Sequence, residues 1–249
     1  MLTFPVGLYS GFSPLDVTSA SLVAWWDGSD GDTMYQLDGT TLVGSSGDVY
    51  YWHDKSGNDN HLTTTDATAG GLPIASYTPD WDDSSNLVNG IPCIHFNVSW
   101  MTIDSPMTGR SSQQEMSYFN TQQLDSDIST LLGRQLPTLI WTPTDLDEQS
   151  EGTFFLDDDS ADACKFYRWS SAGDVDLVST TLENALPHMY TATREQDGSD
   201  YHNYEQRDND TPVTATTTRA IDSTPQRMGM RVGISYRDSI TSAFKGKFG

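Results

Sequence analysis

Residues 51–61, YWHDKSGNDNH, join a short apolar segment to a polar turn, and they indicate the fold class more clearly than any other stretch. Residues 49–52, VYYW, are β-branched or aromatic, which is typical of a strand. Gly57 permits a positive φ, and the Asp, Ser and Asn side chains around it can hydrogen-bond a turn backbone. The segment therefore predicts a short strand followed by an ordered polar loop.

The same pattern recurs along the chain. Each further apolar run is short, is rich in β-branched or aromatic residues, and is bounded by Gly, Asp, Asn, Ser or Pro. Many short strands at such spacing predict an all-β, two-sheet antiparallel sandwich. The runs lie at residues 21–26, 91–96, 139–141, 153–156, 166–169, 189–192, 201–204 and 228–234.

Residues 111–136 depart from this pattern. Their apolar residues, among them Met116, Phe119 and Leu124, recur at rough helical spacing. This spacing predicts a short helical or irregular insertion into the sandwich, and a loop packed over a sheet edge is an equal alternative. We expect a lead of residues 1–20 followed by a single domain over residues 21–249.

Composition and charge restrict the function. The 249 residues carry a formal net charge of -22, which disfavours binding to nucleic acid or to an anionic membrane surface. No apolar run approaches the ~20 residues of a membrane helix. Aromatic residues make up 11% of the chain, more than a disordered acidic tail would have. The acids are 29 Asp and 6 Glu against 4 Lys and 9 Arg, which favours a surface suited to high salt over ordinary acidity.

Two cysteines, Cys93 and Cys164, exclude a disulfide-dense scaffold and a four-cysteine zinc site. Buried thiols are the favoured interpretation. A disulfide between the two remains the alternative.

Several motifs, taken in order, resemble LamG-like domains of the concanavalin A-like lectin/glucanase superfamily. The resemblance spans about residues 12–249 and implies a jelly-roll sandwich. It also implies one more closing strand than the chain supplies, so residues 244–249 look like an unfinished strand. We expect a continuation of the natural chain, N-terminal residues or a neighbouring subunit to complete it, and folding back on the chain's own sandwich is the alternative. The motifs are LVAWWDGSD at 22–30, the 51–61 loop, NGIPCIHF at 89–96, LPHMYTA at 186–192, RVGI at 231–234 and FKGKFG at 244–249.

Calcium is the one cofactor that the loops suggest. Oxygens of Asp54, Asn58 and Asp59 could hold Ca²⁺, although hydrogen bonds within the turn account for the same residues. The spacing of Asp27, Asp30 and Asp32 looks like a calcium loop but lacks the twelve-residue EF-hand frame.

Glycan binding is suggested by tryptophans near predicted loops, because sugar CH groups stack on aromatic faces. A core position is the alternative for each of them. The candidates are Trp81, Trp100, Trp141 and Trp169.

Catalysis has little support. The six Glu are scattered, and the E-x-D-x-x-E pattern of glucanases in the resembled superfamily is absent. No G-x-S-x-G motif and no P-loop occur. We therefore expect a protein that is not an enzyme.

The sequence favours a structural protein on the surface of a virus particle. The start lacks the basic and apolar regions of a Sec signal peptide. The apolar lead at 1–20 suits docking on other virion proteins or on a homo-oligomer, for which a trimer is one option. We expect a capsid decoration, turret or tail-fibre component of a tailed virus from a marine or halophilic host, with host glycans as a further partner. The alternative is a lectin-like module of a secreted or cell-surface protein.

Overall fold

The chain is described by a computed structural model. The structure describes residues 22–64, 78–97, 99–103, 116–125, 135–141, 150–157, 163–168, 175–182, 185–208, 210–217, 229–232 and 244–249. These residues form β-strands, turns and one 3-10 turn at Gly31–Thr33. Among them no helix is long and apolar enough to cross a membrane.

Nineteen strands are found in the described residues, and we number them in chain order. They are β1 Met34–Tyr35, β2 Ser46–Asp48, β3 Tyr51–Trp52, β4 Leu62–Thr63, β5 Asp80–Asp82, β6 Leu87–Val88, β7 Ile91–Pro92, β8 Ile94–Asn97, β9 Met101–Ile103, β10 Met116–Leu124, β11 Gln135–Trp141, β12 Ser150–Asp157, β13 Ala163–Arg168, β14 Val175–Leu182, β15 His188–Asp197, β16 Asp200–Arg207, β17 Val213–Thr217, β18 Gly229–Val232 and β19 Lys245–Phe248.

The strands build two large sheets and one small hairpin. The nine-stranded sheet has the order β1-β3-β4-β9-β18-β11-β12-β13-β14, and the eight-stranded sheet has the order β17-β16-β15-β10-β19-β8-β5-β2. Strands β6 and β7 pair with each other. All pairings within the described residues are antiparallel, for example β8 with β19 and β15 with β16. The predicted all-β, two-sheet jelly-roll sandwich is confirmed.

The core lies between the two sheets. In β8, Ile94 and Phe96 are buried while His95 and Asn97 lie on the opposite face, as the two-residue period of a strand requires. Burying a side chain such as Phe96 contributes roughly 1.5–3 kcal/mol. The nine-stranded sheet supplies Met34, Trp52, Leu62, Met101, Ile103 and Val232, and the eight-stranded sheet supplies Trp81, Ile94, Phe96, Leu124, Tyr190, Ala192 and Phe248.

The predicted helical insertion at 111–136 is wrong for its described part. Residues Met116–Leu124 form β10, which pairs with β15 on one side and with β19 on the other. Burial alternates along the strand: Asn120, Gln122 and Leu124 are buried, while Phe119 is 53% exposed. The rough helical spacing of apolar residues therefore does not correspond to a buried helix face. Residues 111–115 and 126–134 lie outside the described residues.

The C-terminal segment follows the alternative, in which it folds back on the chain's own sandwich. Strand β19 lies inside the eight-stranded sheet, hydrogen-bonded to β8 and β10. Gly249 continues this pairing, since its N–H donates to the Thr121 carbonyl at 3.0 Å. At Gly246 a Cβ would collide with the carbonyl of Gln123, so the close approach of β10 requires glycine here. The lead at 1–20 lies outside the described residues, and its docking role stays a prediction.

Candidate functional site

An open groove of about 370 Å³ lies at one end of the sandwich. It forms where three segments meet: the turn at residues 27–33, the connection between β1 and β2, and the turn after β5. Its lining includes Asp30, Asp32, Leu42, Ser45, Trp81 and Asp83.

The wall of the groove is a turn held by its own aspartates. Asp27 Oδ1 accepts hydrogen bonds from the N–H and the hydroxyl of Ser29, at 3.1 and 2.6 Å. Asp30 Oδ1 accepts from the N–H of Asp32 at 3.1 Å and so caps the 3-10 turn. These bonds fix where the Asp32 side chain leaves the backbone. We call residues 27–32 the groove wall.

Trp81 forms the floor. It is 5% exposed, and its indole Nε1 donates to the Gly28 carbonyl at 3.0 Å, which ties the floor to the groove wall. Gly31 lies against the six-membered ring of the indole, where an added Cβ would come within 2.8 Å of Cη2. Glycine at this position therefore allows the wall to pack directly on the floor.

The rim carries two carboxylates without a protein partner. Within the described part of the chain, the side chains of Asp32 and Asp83 accept no hydrogen bond and form no ion pair. Asp83 is held through its backbone, since its N–H donates to the Ser45 carbonyl at 3.1 Å. Leu42, 40% exposed, adds an apolar surface. The groove can thus accept hydrogen bonds from hydroxyl or ammonium groups while Leu42 contacts an apolar face.

The turn that carries Asp83 is stabilised by its neighbour Asp82. Asp82 Oδ1 accepts hydrogen bonds from the hydroxyl of Ser84 at 2.6 Å and from the N–H groups of Ser84 and Ser85 at 2.8 and 2.9 Å. The hydrogen bonds from Ser84 and Ser85 lower the pKa of Asp82 to about 2. The Asp82 carboxylate is therefore engaged within the turn, whereas Asp83 lines the groove.

The predicted calcium ligands do not converge. Asp54 is buried and accepts hydrogen bonds from three backbone N–H groups, those of Trp25, Ser56 and Asn60, and from the Ser56 hydroxyl. Asn58 donates its amide to the Leu22 and Val23 carbonyls, and the Asp59 side chain is 90% exposed. No group of three His, Cys, Asp or Glu side chains in the described residues is placed to hold a metal ion. The loop has the structural arrangement that the turn residues also allowed.

Of the four tryptophans predicted to bind glycans, two are buried and two have no described side chain. Trp81 and Trp100 are each 5% exposed, so neither offers a ring face for a sugar to stack on, and both belong to the interior. Trp141 is the last residue of β11, where only its backbone placement is described. Trp169 lies outside the described residues. For the last two, a role in glycan binding stays a prediction.

Cys93 is a buried thiol, as the sequence favoured. Its Sγ donates a hydrogen bond to the Asn86 carbonyl at 3.0 Å, and burial raises its pKa to about 12. Cys164 lies in β13.

The sequence did not single out the groove as a site. Asp30 and Asp32 were noted only for a spacing like that of a calcium loop, and Asp83 carried no signal beyond its place in a polar turn. The groove requires three segments distant in sequence to meet at one end of the sandwich, and no local pattern reveals that meeting.

No protein-family model matches the chain, and no curated protein matches it. Among solved structures, the CBM40 of a Ruminococcus gnavus IT-sialidase is similar, with a TM-score of 0.38 and 11% identity over 60% of this chain and 88% of that one. The same module bound to α2,3-sialyllactose has a TM-score of 0.37 and 10% identity, over 55% and 72% of the two chains. A heptameric SAP-like pentraxin from Limulus polyphemus has a TM-score of 0.36 and 10% identity, over 61% and 75%.

Similarity of this extent does not transfer the ligands of those proteins to this chain. The sandwich is established by the strand order and pairing given above. The narrower resemblance to LamG-like domains stays a prediction from sequence motifs.

Proposed function

We propose that this sandwich is a non-catalytic module that binds neutral glycans in the groove beside Trp81. The observation that carries the proposal is the pair of unpartnered carboxylates, Asp32 and Asp83, on the rim of an open groove that also exposes Leu42. Sugar hydroxyls donate to carboxylates, and the apolar face of a pyranose ring suits a side chain such as Leu42.

Charge and exposure determine the expected ligand class and affinity. A hydrogen bond to a charged group is worth about 1.5–3 kcal/mol, and the cost of ordering a flexible ligand offsets part of this. Two such bonds contribute roughly 3–6 kcal/mol before that cost, so we expect a Kd on the order of 1 mM or weaker. Lys and Arg are absent from the described lining, so anionic sugars are repelled.

The groove suits binding better than hydrolysis. A glycosidase needs a carboxylic acid kept protonated by an apolar pocket, together with a second carboxylate facing it. Asp32 and Asp83 are exposed side chains on an open rim. An environment of this kind gives hydrogen-bond acceptors rather than a general acid.

The proposal is tested by titration calorimetry with cellohexaose, laminarihexaose and mannohexaose, and with hexagalacturonate as the anionic comparison. The double variant Asp32→Asn/Asp83→Asn should weaken binding of a neutral hexasaccharide at least tenfold. The control is Asp197→Asn/Asp200→Asn, which removes the same charge at the β15–β16 turn, four strands or about 19 Å away in the sheet. The proposal would be contradicted if both double variants weakened binding equally. It would also be contradicted if the wild-type protein bound none of the neutral sugars.

Display on a virus particle from a saline environment is the setting we propose for this module. The support is the net charge of -22 with 29 Asp and 4 Lys, because such a shell repels itself less when salt screens it. The C-terminal strand gives this setting no support, since β19 lies inside the sheet. Mass spectrometry of purified particles from a saline source should find the protein at a fixed copy number. Its absence from particles would favour a secreted or cell-surface lectin.

A further inference from the structure

Lys55 links the polar loop after β3 to the groove wall. Its ammonium Nζ lies 2.9 Å from Asp27 Oδ2 and 2.7 Å from Asp30 Oδ2, and it sits 4.4 Å from the ring centroid of Trp25. The side chain is 26% exposed, so these contacts are partly shielded from water. Burial lowers the pKa of Lys55, but the hydrogen bonds to Asp30 and Asp27 outweigh it and raise the pKa overall. Lys55 is therefore a fixed positive charge at this position.

The two carboxylates that Lys55 contacts both belong to the groove wall. Asp27 is its first residue, and Asp30 caps the 3-10 turn that carries Asp32 to the rim. Between them, the Gly28 carbonyl accepts the hydrogen bond from Trp81 Nε1. One ammonium thus contacts the groove wall on both sides of Gly28, through Asp27 and through Asp30.

We propose that Lys55 is a positioning residue of the groove, which bridges Asp27 and Asp30 so that the wall stays packed on Trp81 and Asp32 stays on the rim. The effect of Lys55 on ligand affinity rests on the proposed glycan-binding function. The effect of Lys55 on the order of the groove wall does not depend on that function. The bridge offsets one of the two negative charges of Asp27 and Asp30, whereas the carboxylates of Asp32 and Asp83 have no ion pair within the described residues.

Three variants separate positioning from general stability. Lys55→Met keeps the aliphatic stem over Trp25 and removes the ammonium, and Lys55→Arg restores a cation that can reach both carboxylates. Ser56→Ala is the matched control in the same loop. Its hydroxyl donates to Asp54 and to the Val23 carbonyl, and it has no bond to Asp27 or Asp30.

The first measurement needs no ligand. Hydrogen exchange of the Trp81 indole N–H, assigned by NMR with Trp81→Phe, reports whether the wall remains packed on the floor. We expect exchange at least about tenfold faster in Lys55→Met, within about twofold of wild type in Lys55→Arg, and unchanged in Ser56→Ala. Unchanged exchange in Lys55→Met, or an equal increase in Ser56→Ala, overturns the proposal. If Lys55→Met does not fold, Asp27→Asn replaces it with the same expectations.

The second measurement is the affinity for whichever neutral hexasaccharide the wild-type protein binds. We expect Lys55→Met to weaken binding at least about fivefold, because the ligand then has to order the wall, and Lys55→Arg to restore it. Equal affinity in Lys55→Met and wild type overturns the role of Lys55 in positioning. If the wild-type protein binds none of the hexasaccharides, the proposed function fails, and the exchange measurement still decides whether Lys55 orders the wall.

Discussion

His95 should make the stability of the protein depend on pH above neutrality. It lies on β8, on the outer face of the eight-stranded sheet, with Nδ1 3.1 Å from Asp80 Oδ1 and Nε2 3.0 Å from Asp125 Oδ2. A neutral imidazole has one N–H and can donate to only one carboxylate, whereas the imidazolium donates to both. The hydrogen bonds with Asp125 and Asp80 outweigh burial and raise the pKa of His95 to about 9.

The direction and size of the effect follow from this pKa. A histidine whose pKa is 6.5 in the unfolded chain and about 9 in the fold contributes its full stabilisation below pH 6.5 and loses it as the pH rises to 9. The difference corresponds to at most about 3 kcal/mol. Asp80 and Asp125 are 46% and 34% exposed, so solvent screening reduces the expected loss to about 1–2 kcal/mol.

Urea unfolding, followed by tryptophan fluorescence at pH 6, 7.5 and 9, measures this loss. The wild-type free energy of unfolding should fall by about 1–2 kcal/mol over this range, and His95→Gln should remove most of the fall. His202→Gln is the control, because the ring of half-buried His202 lies 3.1 Å from the Thr216 hydroxyl and forms no ion pair with a carboxylate in the described part of the chain. An NMR titration should place the pKa of His95 near 9. The same pH dependence in His95→Gln and in wild type would contradict this role of His95.

Three further predictions concern the polar loop and the surface. Burial, and then the charge of stacked His61, lower the pKa of His53, so the fold favours the neutral imidazole. The free energy of unfolding should therefore fall as the pH drops below 6.5. Thermal melts of His53→Phe should show a smaller fall than those of the wild type. Asp54→Ala should cost about 2–4 kcal/mol in urea unfolding because four hydrogen bonds are lost. Asp59→Asn should stay within about 0.5 kcal/mol, because the Asp59 side chain is 90% exposed and asparagine tolerates its positive φ of 58°. With a net charge of -22, the melting temperature should rise between about 0.1 and 2 M NaCl, and a flat or falling curve would count against a saline host.

Local patterns were sufficient where the structure is local. The turn after β3 could be predicted because Asp54 accepts hydrogen bonds from Ser56 and Asn60 within it, and its glycine, Gly57, has a φ of 89°. The further hydrogen bonds from this loop to residues 22–30 could not be predicted, because they join segments about thirty residues apart. The paired sheets could be predicted because each strand has turn residues at its ends. Neither feature depends on which strand lies beside which.

Strand β10 could not be predicted, because its side chains do not follow the usual contrast between the two faces of a strand. Asn120 and Gln122 point to the buried side and hydrogen-bond each other at 3.0 Å, while Phe119 is exposed. A two-residue apolar period is therefore missing, and the apolar residues that remain mimic helical spacing. The neighbours β15 and β19 determine this strand, since their backbones supply its hydrogen bonds. Both partners are more than sixty residues further along the chain.

The candidate residues of the groove could not be predicted either, because the sequence contains many aspartates. Most described aspartates at this end of the sandwich are engaged by the chain itself: Asp27, Asp30, Asp54 and Asp82 accept hydrogen bonds from nearby backbone N–H groups. In a sequence with 29 aspartates, residue type cannot separate these from the carboxylates left over for a ligand. What separates them is the partner of each side chain, which depends on how the groove wall and the turn after β5 are brought together. Asp32 and Asp83 therefore become candidates only once the fold has assigned the other acids to turns and ion pairs.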